Sequence, residues 1–191
     1  MKIDKSIVVS FVLLVVIASL YRIMPGRPLG FAPQIAMALF GGSVIKDKKF
    51  AFILPLFSMF ISDVMYETLY QVNLSATQGF YQGQVTNYLL FGAITVIGFF
   101  IKKEKILQIA AGAVAGTAFY FLASNFVVWI GGGLALNNLP YTKDIAGLIS
   151  CVTAGLPFLQ GSLYATLMFS SILFGGFYLF NKYKAEKHVV A

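Results

Sequence analysis

Charge is what this sequence has least of. Asp, Glu, Lys and Arg make up 11% of its 191 residues, against roughly 25% in a water-soluble domain. Apolar residues make up 59%, and a fold in water would expose more of that surface than a monomer tolerates. The solvent is therefore lipid. A single cysteine, Cys151, excludes an internal disulfide and a cysteine-cluster metal site. A single histidine, His188, stands in the tail, so no histidine-based metal site or proton relay is expected. The sequence has no G-x-x-x-x-G-K-[ST] loop, no H-E-x-x-H and no G-x-S-x-G. That excludes ATP hydrolysis by the first of these and leaves an enzyme without a visible nucleophile and base. No cofactor is implied, and the expectation is a protein that is not an enzyme.

What is present is a series of apolar runs, at about 6–24, 31–45, 50–70, 84–101, 106–130 and 158–181. Each is hydrophobic all round, as a lipid-embedded helix is. Six spans of about 20 residues leave room only for short connections. The reading is a single transmembrane domain over 1–191, all-α and polytopic, in a cell (plasma or inner) membrane. The second run is the shortest and carries Pro33 near its start, where proline harms a helix least. Lys2 and Lys5 ahead of Ile7–Leu20 also suit a signal peptide, but Tyr21 and Arg22 after that run fit a membrane-interface anchor better.

The net charge of +7 comes from small basic groups between the runs, an orientation signal and not a nucleic-acid groove. Lys2 and Lys5, Lys46, Lys48 and Lys49, Lys102, Lys103 and Lys105, and Lys182, Lys184 and Lys187 all fall on one side of a six-span chain. Only Arg22, Arg27 and Lys143 fall on the other, so both termini are expected in the cytoplasm. The inner turns are short, whereas the outer connections Ile23–Gly30, Gln71–Gly83 and Gly131–Pro157 are long. Long loops in a compact protein are commonly functional. The last contains an apolar stretch too short to span, so 144–155 is expected as a re-entrant or interfacial segment capped by Thr142 or Asp144.

Asp63 and Glu67 are the only acids within an apolar run, four apart and on one helix face. Asp63 lies about 20 Å up its helix from Phe50, in the outer third. A carboxylate there faces the bundle or a water-filled cavity. It either pairs with Arg22 or Arg27 to fix helix packing or belongs to a ligand site. Asn125 and Trp129 share a face near the outer end of the fifth run, Gln34 opens the second, and Tyr66 flanks the acidic pair. An aromatic belt with interhelical hydrogen bonds accounts for Trp129 and the tyrosines, and less well for Asp63, Asn125 and Gln34. Gly112 and Gly116, like Ala38 and Gly42, have the four-residue spacing of close helix packing within one chain.

The strings Ala32–Gly42 (APQIAMALFGG), Pro55–Asp63 (PLFSMFISD), Asn125–Trp129 (NFVVW) and Gly147–Phe158 (GLISCVTAGLPF) resemble an uncharacterised bacterial membrane family provisionally labelled as transport proteins. That family is similar in architecture to the substrate-binding S components of energy-coupling factor (ECF) transporters. The resemblance implies an S-component-like bundle of six helices with an outward-facing pocket for a vitamin-like solute. It also implies possible partners, an ECF-type transmembrane subunit and its ATPases. The first run has Ala18 as its only alanine, so it lacks the Ala-x-x-x-Ala motif with which S components meet that subunit; a solitary carrier stands beside a coupled one.

The expectation is a membrane transport protein that binds a small solute for uptake. Asp63, Glu67 and Arg22 would supply charge, Asn125 and Gln34 hydrogen bonds, and Trp129 and Tyr66 stacking surface. Its partners would be that solute and membrane lipid, with no nucleic acid. The alternative is a non-enzymatic structural membrane subunit similar to the rod-shape-determining proteins.

Overall fold

The computed structural model describes residues 5–190, with side chains described from 12 to 186. Lys2 lies outside the described residues, as do the side chains of Lys5, Lys187 and His188. The helices are α1 (Lys5–Ile23), α2 (Gln34–Val44), the single turn α3 (Lys48–Ala51), α4 (Ile53–Gln71), α5 (Gln84–Gly98), α6 (Ile106–Ile130) and α7 (Ile145–Val190). Among the described residues the only β-type pairing is an isolated bridge between Leu134 and Pro140. The all-helical expectation holds.

Three segments are long and apolar enough to cross a membrane: Lys48–Gln71, Ile106–Ile130 and Ile145–Glu186. By length and composition this is a helical membrane protein. Val12–Ile23, Gln34–Val44 and Gln84–Gly98 are apolar but shorter. The run at 31–45 yields only 11 helical residues, roughly 16 Å of helix, against a hydrocarbon thickness of about 30 Å. Pro33 lacks the N–H to extend it upstream, and Ile45 at ψ 118° is already extended.

The segment expected at 144–155, re-entrant or interfacial, and the span expected at 158–181 are continuous in the structure. Both belong to α7, one helix of 46 residues with Pro157 inside it. A proline in a helix interior costs one hydrogen bond, and neighbouring helices make that tolerable in membrane proteins. Here α6 lies alongside: a Cβ on Gly155 would stand 2.7 Å from the Asn125 side chain and 2.9 Å from the Phe121 ring. At its start α7 is capped as expected. The Asp144 carboxylate accepts from the Gly147 N–H and the Thr142 hydroxyl, both at 2.7 Å. Those two bonds hold the exposed carboxyl below its ordinary range.

The packing is inverted relative to a water-soluble bundle. Valines, isoleucines and leucines at 12, 13, 16, 17, 85, 89, 107 and 122 are exposed, while Ser58, Ser62, Asp63, Thr95 and Thr117 are fully buried. The short α2 is the central element, packed on α4, α5, α6 and α7, with Gln34–Leu39, Gly41 and Gly42 buried. Small residues let its neighbours close in. A Cβ on Gly42 would collide with the Thr95 carbonyl and stand 2.9 Å from the Gly98 Cα, so α2 and α5 touch backbone to backbone. Gly116 of α6 meets Leu39 and Ile35 of α2. The small residues thus serve packing within the chain.

Gly42→Ala should destabilise the detergent-solubilised protein by about 1–3 kcal/mol, the usual cost of overpacking. Gly92 of α5 has open space where its Cβ would be, so Gly92→Ala should be neutral or slightly stabilising. Thermal unfolding of the two variants side by side checks the contact; equal melting temperatures would refute it.

Candidate functional site

The polar residues gather at the end of the bundle opposite the lysines. Arg22 closes α1, Gln34 and Gln84 open α2 and α5, Asp63 lies in the second half of α4, and Asn125 near the end of α6. Because successive helices reverse direction, residues remote in sequence meet at one level.

Asp63 is 1% exposed and fully engaged. One carboxylate oxygen takes the Arg22 guanidinium in an ion pair. The other accepts from Gln84 Nε2 at 2.5 Å and from the Tyr88 hydroxyl at 2.7 Å. Arg22 also donates to Ser62 Oγ at 2.5 Å and to the Met59 carbonyl at 3.2 Å, while the Tyr66 hydroxyl donates to the Arg22 carbonyl at 2.7 Å. The pairing reading of Asp63 therefore describes its surroundings: one buried charge pair, satisfied by side chains from α1, α4 and α5.

Glu67, one turn further along α4, does something else. It accepts from the Gly79 and Phe80 N–H groups and from Gln71, tying the 72–83 loop back onto the helix. Trp129 donates its indole N–H to the Thr142 carbonyl at 2.7 Å, and Lys143 lies over its ring. Both residues brace loops at this end of the bundle; neither lines the cavities described next.

Three adjoining cavities share walls at this end, and Phe158 borders all three. The outermost, of about 690 Å³, is bounded by Arg22, Arg27, Asp63, Tyr66 and Tyr81. The middle one, of about 230 Å³, is bounded by Arg22, Arg27, Gln34, Asn87, Tyr120 and Ser162. The third, of about 350 Å³ between α6 and α7, is bounded mainly by Phe121, Asn125, Tyr141, Cys151 and Leu159, and shares Tyr120 and Ser162 with the middle one. Of the residues expected at a site, Arg22, Asp63, Tyr66, Gln34 and Asn125 are brought to these cavities. Asn125 is held by its amide N–H to the Phe121 carbonyl and receives the Cys151 thiol on its own carbonyl.

Sequence reading missed the middle cavity's other walls. Asn87 accepts from the Tyr120 hydroxyl at 3.1 Å and donates to Tyr81, and Ser162 donates to the Gly30 carbonyl at 3.0 Å. Arg27 lines this cavity as well. Its Nη1 donates to the Phe31 carbonyl at 2.6 Å, but its buried Nε has no partner. Gln34 is 2% exposed, and neither its amide oxygen nor its amide nitrogen is hydrogen-bonded. Among the described residues no group of His, Cys, Asp and Glu is placed to hold a metal.

The chain belongs to a family of unknown function, DUF6580, whose match covers residues 2–188. No curated protein and no solved structure matches it.

If the ion pair holds α1 to α4, Arg22→Gln alone should cost roughly 3 kcal/mol by leaving the Asp63 carboxylate buried without its cation. The double variant Arg22→Gln with Asp63→Asn should recover much of that loss. Folded yield and melting temperature in detergent, measured around the full cycle, test this; additive losses would show the two charges to be uncoupled.

Proposed function

We propose that this chain is a six-span protein of the cell membrane that binds a small solute in the cavities between Arg27, Gln34 and Asn125, on the outer side, for uptake. One observation carries the reading: Gln34, buried at the centre of the bundle, lines a cavity with its amide wholly unpaired. A buried amide without partners costs about 1–3 kcal/mol, and a bound polar solute satisfies it. A structural subunit accounts for the Asp63–Arg22 pair but gives Gln34 and the Arg27 Nε no task. The chain would be a binding and transport protein and not an enzyme, working alone or with an ECF-like subunit and its ATPases.

The span count is supported by the burial of α2. Irregular backbone at membrane depth is tolerated where it is buried in protein or lines a cavity, and both conditions apply to the entry to α2: Gly30 and Ala32 border the middle cavity. A short α2 extended by 31–33 and Ile45 then serves as an interior span. Orientation is supported by the lysines, which lie together at the opposite end. Lys48 reaches the Gly42 carbonyl at 3.0 Å, and Lys103 stacks on Phe177 of α7 at 5.1 Å.

Reporter fusions at Lys103 and Lys184 should read cytoplasmic and one at Gly79 external; a cytoplasmic Gly79 would turn the cavities inward and end the uptake reading. A small-solute library should contain at least one chemical class that raises the melting temperature of the purified protein. Cells carrying the protein should take up that class faster than cells without it. A library with no stabilising member would favour the structural subunit.

A further inference from the structure

The middle cavity has a charge sign. Arg22 and Arg27 both line it, and no acidic side chain does. Arg22 is already neutralised by Asp63, whose carboxylate is in turn saturated by Gln84 and Tyr88. Arg27 has no ion pair among the described residues, and its contacts are a backbone carbonyl and an orphaned Nε. Asp63 and the tyrosines 66, 70 and 81 are the other titratable groups that share a cavity with Arg27, on the outer side. The site as a whole therefore keeps one positive charge in excess.

A second source of positive potential points the same way. The N-terminus of α2 opens at Gln34 on the cavity wall, and no side chain caps it. The unpaired N–H groups of a helix's first turn and its dipole favour an anion there, and half-helices ending inside membrane transporters present that end to anionic substrates. Here the independent observation is the Gln34 side chain, 2% exposed with both amide atoms unpartnered.

We infer that the space between Arg27 and the start of α2 receives the carboxylate of a small organic acid. This rests on the solute-binding reading and narrows it to a substrate class. One excess positive charge matches a monocarboxylate and leaves a phosphate dianion undercompensated. The orphaned Gln34 oxygen calls for a hydrogen-bond donor on the ligand, close to the acid. A hydroxyl or an amide N–H fits; an ammonium does not, since no carboxylate lines the cavity to balance it. The body of the ligand continues past Tyr120 and Phe158 into the third cavity, where Phe121, Val128 and Leu159 supply apolar walls. The class is thus a hydroxy- or amide-bearing monocarboxylate with a compact apolar body.

The test is thermal unfolding and calorimetric titration of the full-length protein in detergent with small monocarboxylates and their matched primary amides. N-acetylvaline with N-acetylvalinamide and 3-phenyllactate with 3-phenyllactamide lead the set, with inorganic phosphate beside them. The expected result is an acid preferred at least about tenfold over its amide and over phosphate, the scale of one charge-assisted hydrogen bond. Arg27→Gln should abolish the preference and Arg27→Lys restore part of it. Gln34→Leu should weaken binding of the acid while raising the melting temperature, because it removes two unpaired buried polar atoms; this variant keeps the test decisive if Arg27→Gln folds poorly. A lower melting temperature for Gln34→Leu, or equal binding of acid and amide, overturns the carboxylate assignment. Binding of neutral solutes or phosphate alone also overturns it but leaves solute binding standing. Binding of no member of the set overturns the carboxylate assignment, while the solute-binding reading falls only if the wider library also lacks a stabilising member.

Discussion

A carboxylate buried within an apolar bundle must be met by a cation and by hydrogen-bond donors, and Asp63 recruits them from three helices. The guanidinium comes from the end of α1, the amide and phenol from the start of α5, and the acid itself from α4. Such a pair gives little net stability over a well-packed apolar equivalent, because desolvation consumes most of the attraction. Its geometry nevertheless constrains the bundle. Lipid offers no hydrophobic drive for helix association, so packing and polar contacts select the arrangement. With Arg22 drawn onto α4, the 24–33 connection brings Arg27 to the cavity that Gln34 lines at the start of α2.

The central helix is the second constraint. At 11 residues α2 is too short to be an ordinary lipid-facing span, and it is the most thoroughly buried element. Gly42 against Gly98, and Gly116 against Leu39, bring α5 and α6 in until backbones and branched side chains touch. At the opposite end from Gly42, tyrosines, Phe158 and the connecting loops surround open volume. The Thr95 and Thr117 hydroxyls bond back to their own helices, while the unpaired Gln34 amide borders the middle cavity.

Much of this was legible from residue order alone. The fifth apolar run and α6 coincide at 106–130, because Lys105 and Gly131 bound an uninterrupted apolar stretch. Asp63 announced itself as a buried acid needing a cation, since no apolar run carries an acid without a partner or a task. Other positions take contacts that residue order does not show. Pro157 looked like a boundary, yet the neighbouring α6 keeps the helix continuous through it. Glu67 shares a helix face with Asp63 by spacing, but the 72–83 loop folds back and takes its carboxylate for backbone N–H groups. Trp129 was expected as stacking surface, and its indole N–H is engaged by the Thr142 carbonyl.

Composition and periodicity by themselves determined that the chain is helical, lipid-embedded, and polarised between a lysine end and an end rich in buried polar groups. Those properties depend on sums over many residues, which no single contact alters. Tertiary structure decided which polar groups are consumed by one another and which remain open. Arg22 and Arg27 are equivalent cations in the sequence, five residues apart; only the fold gives one of them Asp63 and leaves the other facing a cavity beside the uncapped start of α2. Hydrogen bonding is a matter of tenths of an ångström and of direction, and residues at 22, 34, 63 and 84 acquire those relations only when α1, α2, α4 and α5 are packed together.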